Sequence, residues 1–262
     1  GESRHMTVLF GDIADFTAIS ERFDPRQLTR LMQCYLTPLT RVIHEHRGTI
    51  DKYIGDAIMA FWGAPLADPE HPRHAVRAAL EMTRCLRTLD GEFRAEGWPS
   101  LRIRIGINTG AMSVGNMGSR FRMSYTVLGD AVNLASRLES AAKQYGVAIV
   151  ISEHTRDAVP EYACRELDRV RVKGRSRPVA IFEPLGLAAE LEPEQQMELA
   201  DHAAALRAYR QRDWDEATAR FQRLGARWPD RRLYALYLDR LAALMVAPPP
   251  MDWDGVFNLP TK

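Results

Sequence analysis

Hydrophobic positions along this chain alternate between two periods, and the changes of period mark its elements. Residues 6–10, MTVLF, form an unbroken apolar run of buried-strand length. Helices are predicted over 16–23 and 25–47, where Leu28, Leu31, Met32, Tyr35, Leu39, Val42 and Ile43 recur at helical spacing and Gly48 supplies a stop. Pro38 falls inside that pattern and argues against a straight helix. Residues 49–53 and 57–61 flank Gly55-Asp56 as the two strands of a hairpin would. A second amphipathic helix is predicted over 74–93, with Val76, Ala79, Leu80, Thr83, Leu86 and Phe93 on one stripe. LRIRIGIN then alternates strictly: Leu101, Ile103, Ile105 and Ile107 share one face, Arg102, Arg104 and Gly106 the other. The glycine-punctuated TGAMSVGNMGS reads as hairpin material before a strand at 123–128. Asp130 reads as the N-cap of a helix that runs to Tyr145 and stops before Gly146. VAIVIS, ELDRVRVKG and PVAIFEPLG add strands.

The order β-α-β-β-α-β, then a helix and more strands, predicts an α+β fold: a ferredoxin-like split βαβ sheet with flanking helices. The pattern changes near 187–195, which reads as a linker. This divides the chain into a domain at 1–186 and an all-helical segment at 196–262.

With 262 residues, 46% of them hydrophobic, the chain can bury one sizeable core and an appendage. A net charge of +1 gives no electrostatic reason to expect a nucleic-acid partner. Cys34, Cys85 and Cys164 are scattered and odd in number, a pattern of reduced thiols that suits a cytoplasmic catalytic domain. No run of 18 apolar residues occurs, and no signal peptide. The first motif begins almost at Gly1. We therefore expect a piece of a longer signalling protein, with room for an upstream regulatory or membrane-anchoring domain.

Three strand-like runs end in Gly-Asp, at Asp12, Asp56 and Asp130. Turn chemistry alone explains such pairs. Asp12 and Asp56, however, each follow an apolar strand, and two neighbouring strands ending this way would set two carboxylates side by side on rigid supports. Two hard oxygen ligands beside substrate phosphates suit Mg²⁺, and a pair of such ions can clamp attacking and leaving oxygens.

Five ordered segments, VLFGDIADFT, DKYIGDAIMAFWG, RIGINTG, YTVLGDAVNLASRLE and RVKGRSRPVAIFE, closely resemble the successive motifs of class III nucleotidyl cyclases over roughly residues 4–186. The resemblance implies conversion of ATP to 3′,5′-cyclic AMP and pyrophosphate at the interface of a homodimer. It assigns Asp12, Asp56 and the Ile13 carbonyl to two Mg²⁺ ions, for which Mn²⁺ substitutes. It assigns Lys52 and Thr126 to the base, Asn133 to the ribose, and Arg137 to the α-phosphate. Lys173 and Arg104 match positions that contact the outer phosphates, and the loop through Phe16 and Thr17 aims backbone N–H groups at phosphate. Asp130 matches no ligand.

An ammonium only donates, so Lys52 suits the N1 acceptor of adenine and conflicts with the N1–H of guanine. Thr126 stands where animal adenylyl cyclases carry aspartate. This departure resembles a bacterial subclass that uses threonine, some members of which respond to bicarbonate. A hydroxyl donates as well as accepts, so it discriminates less sharply than a carboxylate.

In the tail, Ala205, Tyr209, Trp214, Ala217, Phe221, Leu224 and Pro229 resemble one tetratricopeptide unit, which cannot bury its face alone and is expected to pack on or cap the preceding domain; an unrelated helical hairpin fits equally well, since a single degenerate repeat is a weak signal. Two rivals to an adenylyl cyclase stand: a silent nucleotide-binding scaffold, against which the complete motif set argues, and a guanylyl cyclase, against which Lys52 argues.

Overall fold

The computed structural model describes residues 1–171 and 177–258, in two compact units. The first unit, residues 1–143 with 148–159, mixes strands and helices. Its elements are β1 (Glu2–Ile13), α1 (Phe16–Ser20), α2 (Pro25–Glu45), β2 (Thr49–Ile54), β3 (Ala57–Trp62), α3 (His71–Thr88), α4 (Asp90–Ala95), β4 (Ile103–Ser119), β5 (Arg122–Leu128), α5 (Asp130–Tyr145), β6 (Ile149–Ser152) and α6 (Glu153–Asp157). Its strands lie in the order β2-β3-β1-β4-β6, with β5 also on β4. The β2-β3-β1-β4 part is antiparallel throughout, as a split βαβ arrangement requires.

β1 is the spine. Thr7 to Gly11 pair with Trp62 to Ile58 on one side, and the whole strand pairs with β4 on the other. Its apolar run is buried on both faces: Met6, Val8 and Leu9 are fully enclosed. α2 starts at a capping box, with Asp24 Oδ1 accepting from the Arg26 and Gln27 amides, and lays Leu31, Tyr35, Leu39, Val42 and Ile43 into the core. The helix continues through Pro38 but ends at Glu45, short of the expected 47, and Arg47 at φ 64°, not Gly48, takes the left-handed conformation at its end; Gly48 answers to space, because a Cβ there would meet the Trp62 ring at 2.7 Å.

Several predicted details change. The 74–93 helix begins earlier and is two helices, α3 and α4. TGAMSVGNMGS is not a hairpin by itself: β4 runs through it to Ser119, and the turn comes at Arg120-Phe121 before β5. Gly115 and Gly118 take positive φ, 153° and 150°, inside an extended strand and not in a turn. Asp130 is the first residue of α5 and not its cap; the Gly129 carbonyl accepts from the Val132 and Asn133 amides instead. Gly146, at φ 67°, closes that helix as expected.

A polar chain threads the core. The Thr7 hydroxyl lies 2.7 Å from His71 Nδ1 and 2.8 Å from the Thr109 hydroxyl, Thr109 lies 3.0 Å from Thr155, and Thr155 lies 3.3 Å from Ser152. Burial pushes His71 down to about 4, and the neighbouring His5 and His74 act in the same direction while Asp68 opposes them.

The second unit, residues 144–147 with 160–262, contains β7 (Tyr162–Arg171), β8 (Val179–Leu187), α7 (Pro193–Arg210), α8 (Trp214–Arg227), α9 (Arg232–Val246) and β9 (Phe257–Asn258). β7 pairs antiparallel with β8 and parallel with β9. The helices are tied to β7 by buried polar groups. Arg165 lies 3.0 Å from Glu198, Arg240 donates to Asp168 at 2.6 Å, Tyr145 donates to the same carboxylate at 2.7 Å, and Tyr237 donates to the Leu167 carbonyl at 2.7 Å. Ala205, Tyr209, Ala217, Phe221 and Leu224 are buried, with Phe221 stacked on Tyr237 at 4.7 Å. Among the described residues no helix is long and apolar enough to cross a membrane.

Candidate active site

The first Gly-Asp pair is strand, and the second is turn. Asp12 lies within β1, which continues through Ile13, opposite Arg104 of β4. Asp56 sits in the tight β2–β3 connection, where Gly55 takes φ 64°, a left-handed conformation that glycine adopts without penalty. The Ile13 amide donates to Asp56 Oδ2 at 2.9 Å. That bond fastens the turn to the strand end and holds Asp56 beside the residue that follows Asp12. Burial raises the Asp56 carboxyl above the usual range; the Asp12 charge adds to the rise, and the Ile13 amide partly offsets it. Tyr35, fully buried on α2, feels the same pair: burial, then Asp56 and Asp12, hold its phenol well above the ordinary value.

Arg104 sits among carboxylates. Its Nε donates to Asp12 Oδ1 at 3.3 Å, with Glu139 at 3.8 Å and Asp15 at 4.0 Å. Lys143 donates to Asp15 at 3.1 Å, which holds the Asp15 carboxyl below its usual range. Asp15, at φ 59°, precedes α1, whose first turn contains Phe16 and Thr17.

Lys52 and Thr126 meet through a residue that the sequence reading passed over. The Thr126 hydroxyl donates to Asp51 Oδ2, and Lys52 Nζ lies 3.1 Å from Asp51 Oδ1. The Asp51 side chain is fully enclosed, whereas that of Lys52 is 44% exposed. Strict alternation would send residues 51 and 52 to opposite faces. The β2–β3 register shifts between Ile50 and Lys52, so the strand carries a bulge at Asp51 that re-aims both side chains.

Asn133 and Arg137 are exposed, one turn apart, on α5. The helix is seated on β4 by Gly106: a Cβ there would lie 2.1 Å from the Glu139 amide nitrogen and 2.2 Å from the Ala135 carbonyl oxygen. Lys173 lies outside the described residues. The structure thus unites Asp12, Ile13, Asp56 and Arg104 in one group and Lys52 and Thr126 in another. Sequence reasoning missed Asp51, Tyr35 and Glu139. Tyr35 fitted the apolar stripe of α2, and only the bulge reveals Asp51.

Among the described residues no three or more His, Cys, Asp or Glu side chains cluster as a self-contained metal site. Two carboxylates, one of them burdened by burial and by its neighbour's charge, do fit a hard divalent cation that keeps waters and takes its other ligands from phosphate.

Residues 1–182 match the family described as Adenylate and Guanylate cyclase catalytic domain. Adenylate cyclase 1 of Rhizobium meliloti (strain 1021) is 38% identical over 188 residues, 70% of this chain and 28% of that protein. The adenylate cyclase of Anabaena cylindrica is 39% identical over 189 residues, 69% of this chain and 37% of that protein. The chain therefore spans about a third of the length of these relatives. Among solved structures, the adenylyl cyclase CyaB from P. aeruginosa superposes with a TM-score of 0.67 at 38% identity, covering 73% of this chain and all of that one. The guanylyl cyclase Cya2 gives 0.67 at 34% identity, covering 73% and 97%. Cyclase domains of this kind bind a nucleotide substrate, act as dimers and are generally dependent on divalent metal. With its split βαβ sheet and a match over most of its length, the chain belongs to the class III adenylate and guanylate cyclase catalytic-domain family.

Proposed function

We propose that this chain is an adenylyl cyclase catalytic domain, converting ATP to 3′,5′-cyclic AMP and pyrophosphate in a homodimer. The observation that carries the reading is the apposition of Asp12 and Asp56, pinned by the Ile13 amide at the meeting of β1 and the β2–β3 turn. Asp12, Asp56 and the Ile13 carbonyl would hold two Mg²⁺ ions, or Mn²⁺ in their place. When bound, the ions supply Lewis acidity toward the 3′-hydroxyl and the phosphates.

The chain's own residues supply position and charge. Lys52 donates to adenine N1 and Thr126 accepts from N6. Asn133 orients the ribose so that the 3′-oxygen lies in line with the α-phosphorus. The O3′–Pα bond forms, the Pα–O bond to the β-phosphate breaks, and the hydroxyl proton leaves to solvent. Arg137 donates its fork to the α-phosphate as charge develops there. Arg104, which neutralises Asp12 here, would with Lys173 contact the outer phosphates. Phe16 and Thr17 offer backbone N–H groups to phosphate.

Pairing of two copies has support in exposed apolar side chains at the β2 end and on the β4–β5 hairpin: Tyr53, Ile54, Phe121, Met123 and Leu128. Thr126 supports membership of the threonine subclass as part of this reading. A bicarbonate response, an upstream regulatory domain and a tetratricopeptide character for α7 and α8 are further parts of the same reading. A guanylyl cyclase is the second reading, favoured by the likeness to Cya2 and opposed by the Lys52 ammonium. Product analysis with ATP and with GTP, each in Mg²⁺ and in Mn²⁺, tests the proposal. Cyclic AMP as the main product supports it; cyclic GMP as the main product, or no cyclic nucleotide, refutes it.

A further inference from the structure

We infer that Asp51 makes the base site selective for adenine by fixing the Thr126 hydroxyl as an acceptor toward the nucleotide. The inference rests on the adenylyl cyclase reading and goes one residue deeper. Threonine is an ambiguous reader: one proton and two lone pairs let it accept from the N6 amine of adenine or donate to the O6 of guanine. In this chain that ambiguity is removed. Asp51 as a carboxylate can only accept, so the bond between them consumes the single Thr126 proton. What the oxygen has left for a base is lone pairs alone. Opposite adenine N6 they find a donor; opposite guanine O6 they face other lone pairs.

The same carboxylate fixes the second reader. Its Oδ1 lies 3.1 Å from Lys52 Nζ, an ion pair that holds the ammonium beside Thr126 and leaves it further protons for a base. A fixed donor at Lys52 beside a fixed acceptor at Thr126 is the complement of the adenine edge at both positions. The bulge at Asp51 makes this possible, because a regular strand could not bring residues 51 and 52 to one side. Asp51 touches no substrate atom in this scheme. It is a positioning residue whose side chain is enclosed completely, as a group acting only through its neighbours should be.

The test is Asp51→Asn in the full chain, with kcat/KM measured for ATP and for GTP. The Lys52 ammonium draws the amide oxygen to its side, leaving the amide NH₂ toward Thr126, whose hydroxyl must then accept and is free to donate outward. The ATP-to-GTP ratio should fall by about tenfold, the worth of one hydrogen bond reversed from favourable to unfavourable. Adding Asp51→Asn to Thr126→Val should move the ratio no further, because the hydroxyl is already gone and the asparagine amide oxygen keeps the contact with Lys52. An equal loss for both nucleotides, or a ratio within twofold of wild type, reduces Asp51 to a structural role and overturns the inference. A further fall of the ratio in the Thr126→Val background overturns it as well. If Asp51→Asn does not fold, Asp51→Ser is read by the single-variant ATP-to-GTP ratio, because serine also gives up the Lys52 contact. A wild-type protein that prefers GTP or makes no cyclic nucleotide sinks the underlying reading; a wild-type protein that prefers ATP beside an unchanged Asp51→Asn ratio sinks this inference alone.

Discussion

Gly106→Ala tests whether the seat of α5 governs catalysis. The added methyl would stand 2.1 Å from the Glu139 amide nitrogen and 2.2 Å from the Ala135 carbonyl oxygen, both backbone atoms of one helix turn. No side-chain rotation relieves such a clash. Ordinary carbon contacts need about 3.5 Å, so α5 must withdraw from β4 by about 1 Å. Overpacking of this kind costs roughly 1–3 kcal/mol, or about 2–4 °C in Tm per kcal/mol for a domain of this size. The catalytic effect should be larger. Asn133 and Arg137 travel with the helix, and a displacement of about 1 Å in positioning groups can cost about a hundredfold in rate. The control is Gly110→Ala, whose Cβ meets only the Ala131 methyl at 3.3 Å and should lose little. Thermal unfolding and cyclic AMP production measured on both variants decide the matter. A Gly106→Ala protein with wild-type Tm and turnover within threefold of wild type would show that α5 tolerates the shift, and would remove the argument that Gly106 positions Asn133 and Arg137.

Asp12→Ala and Asp56→Ala should each abolish turnover without unfolding the domain, since each removes an oxygen ligand and little packing; near-wild-type activity in either would refute the metal assignment. Mixing Asp56→Ala with Arg137→Ala protein should restore up to about half of the wild-type activity per heterodimer if sites are shared between chains, and none, with heterodimers shown to be present, if each chain builds its own site. In metal-free protein, Asp56→Asn should raise Tm at neutral pH. The Asp56 carboxyl titrates above its unfolded value, so the stability it contributes is present below the unfolded range and lost as pH rises through the folded one; the variant's advantage should vanish in acid, and an advantage that persists there would contradict the burial argument. His71, depressed to about 4 from the usual 6.5, has the opposite sign: its contribution holds above about 6.5 and is lost as pH falls toward 4, so His71→Gln should flatten the acid limb of a stability-against-pH curve, and an unaltered limb would show that His71 does not drive it.

Much of the first unit was legible because its elements obey one period each. The apolar run of β1, the stripe of α2 and the alternation of β4 all lie where the pattern put them. Illegible features are those where a local signal has two meanings. Gly115 and Gly118 signal turns in most sequences, but here they relax the backbone of a strand. Tyr35 counted as one apolar position among seven, and its enclosure near two carboxylates is a tertiary fact. Asp51 needed a bulge that period two forbids. Arg104 was expected to face phosphate, and its pairing with Asp12 follows from the β1–β4 register, which no spacing in one strand discloses.

The hydroxyl chain from His71 to Ser152 has a direction. Each of Thr7, Thr109, Thr155 and Ser152 owns one proton, so donation must run the same way along the whole row. With His71 Nδ1 accepting, protons point toward α3; with Nδ1 protonated, Thr7 must turn its proton away from the ring and the row is free to reverse. The ring therefore sets the orientation of dipoles on β1, β4, α6 and β6 as a single unit, and a charge placed on it is felt by β6 through three intervening hydroxyls. Thr109→Val would cut the row, leaving Thr7 to follow the imidazole while Thr155 and Ser152 settle by themselves.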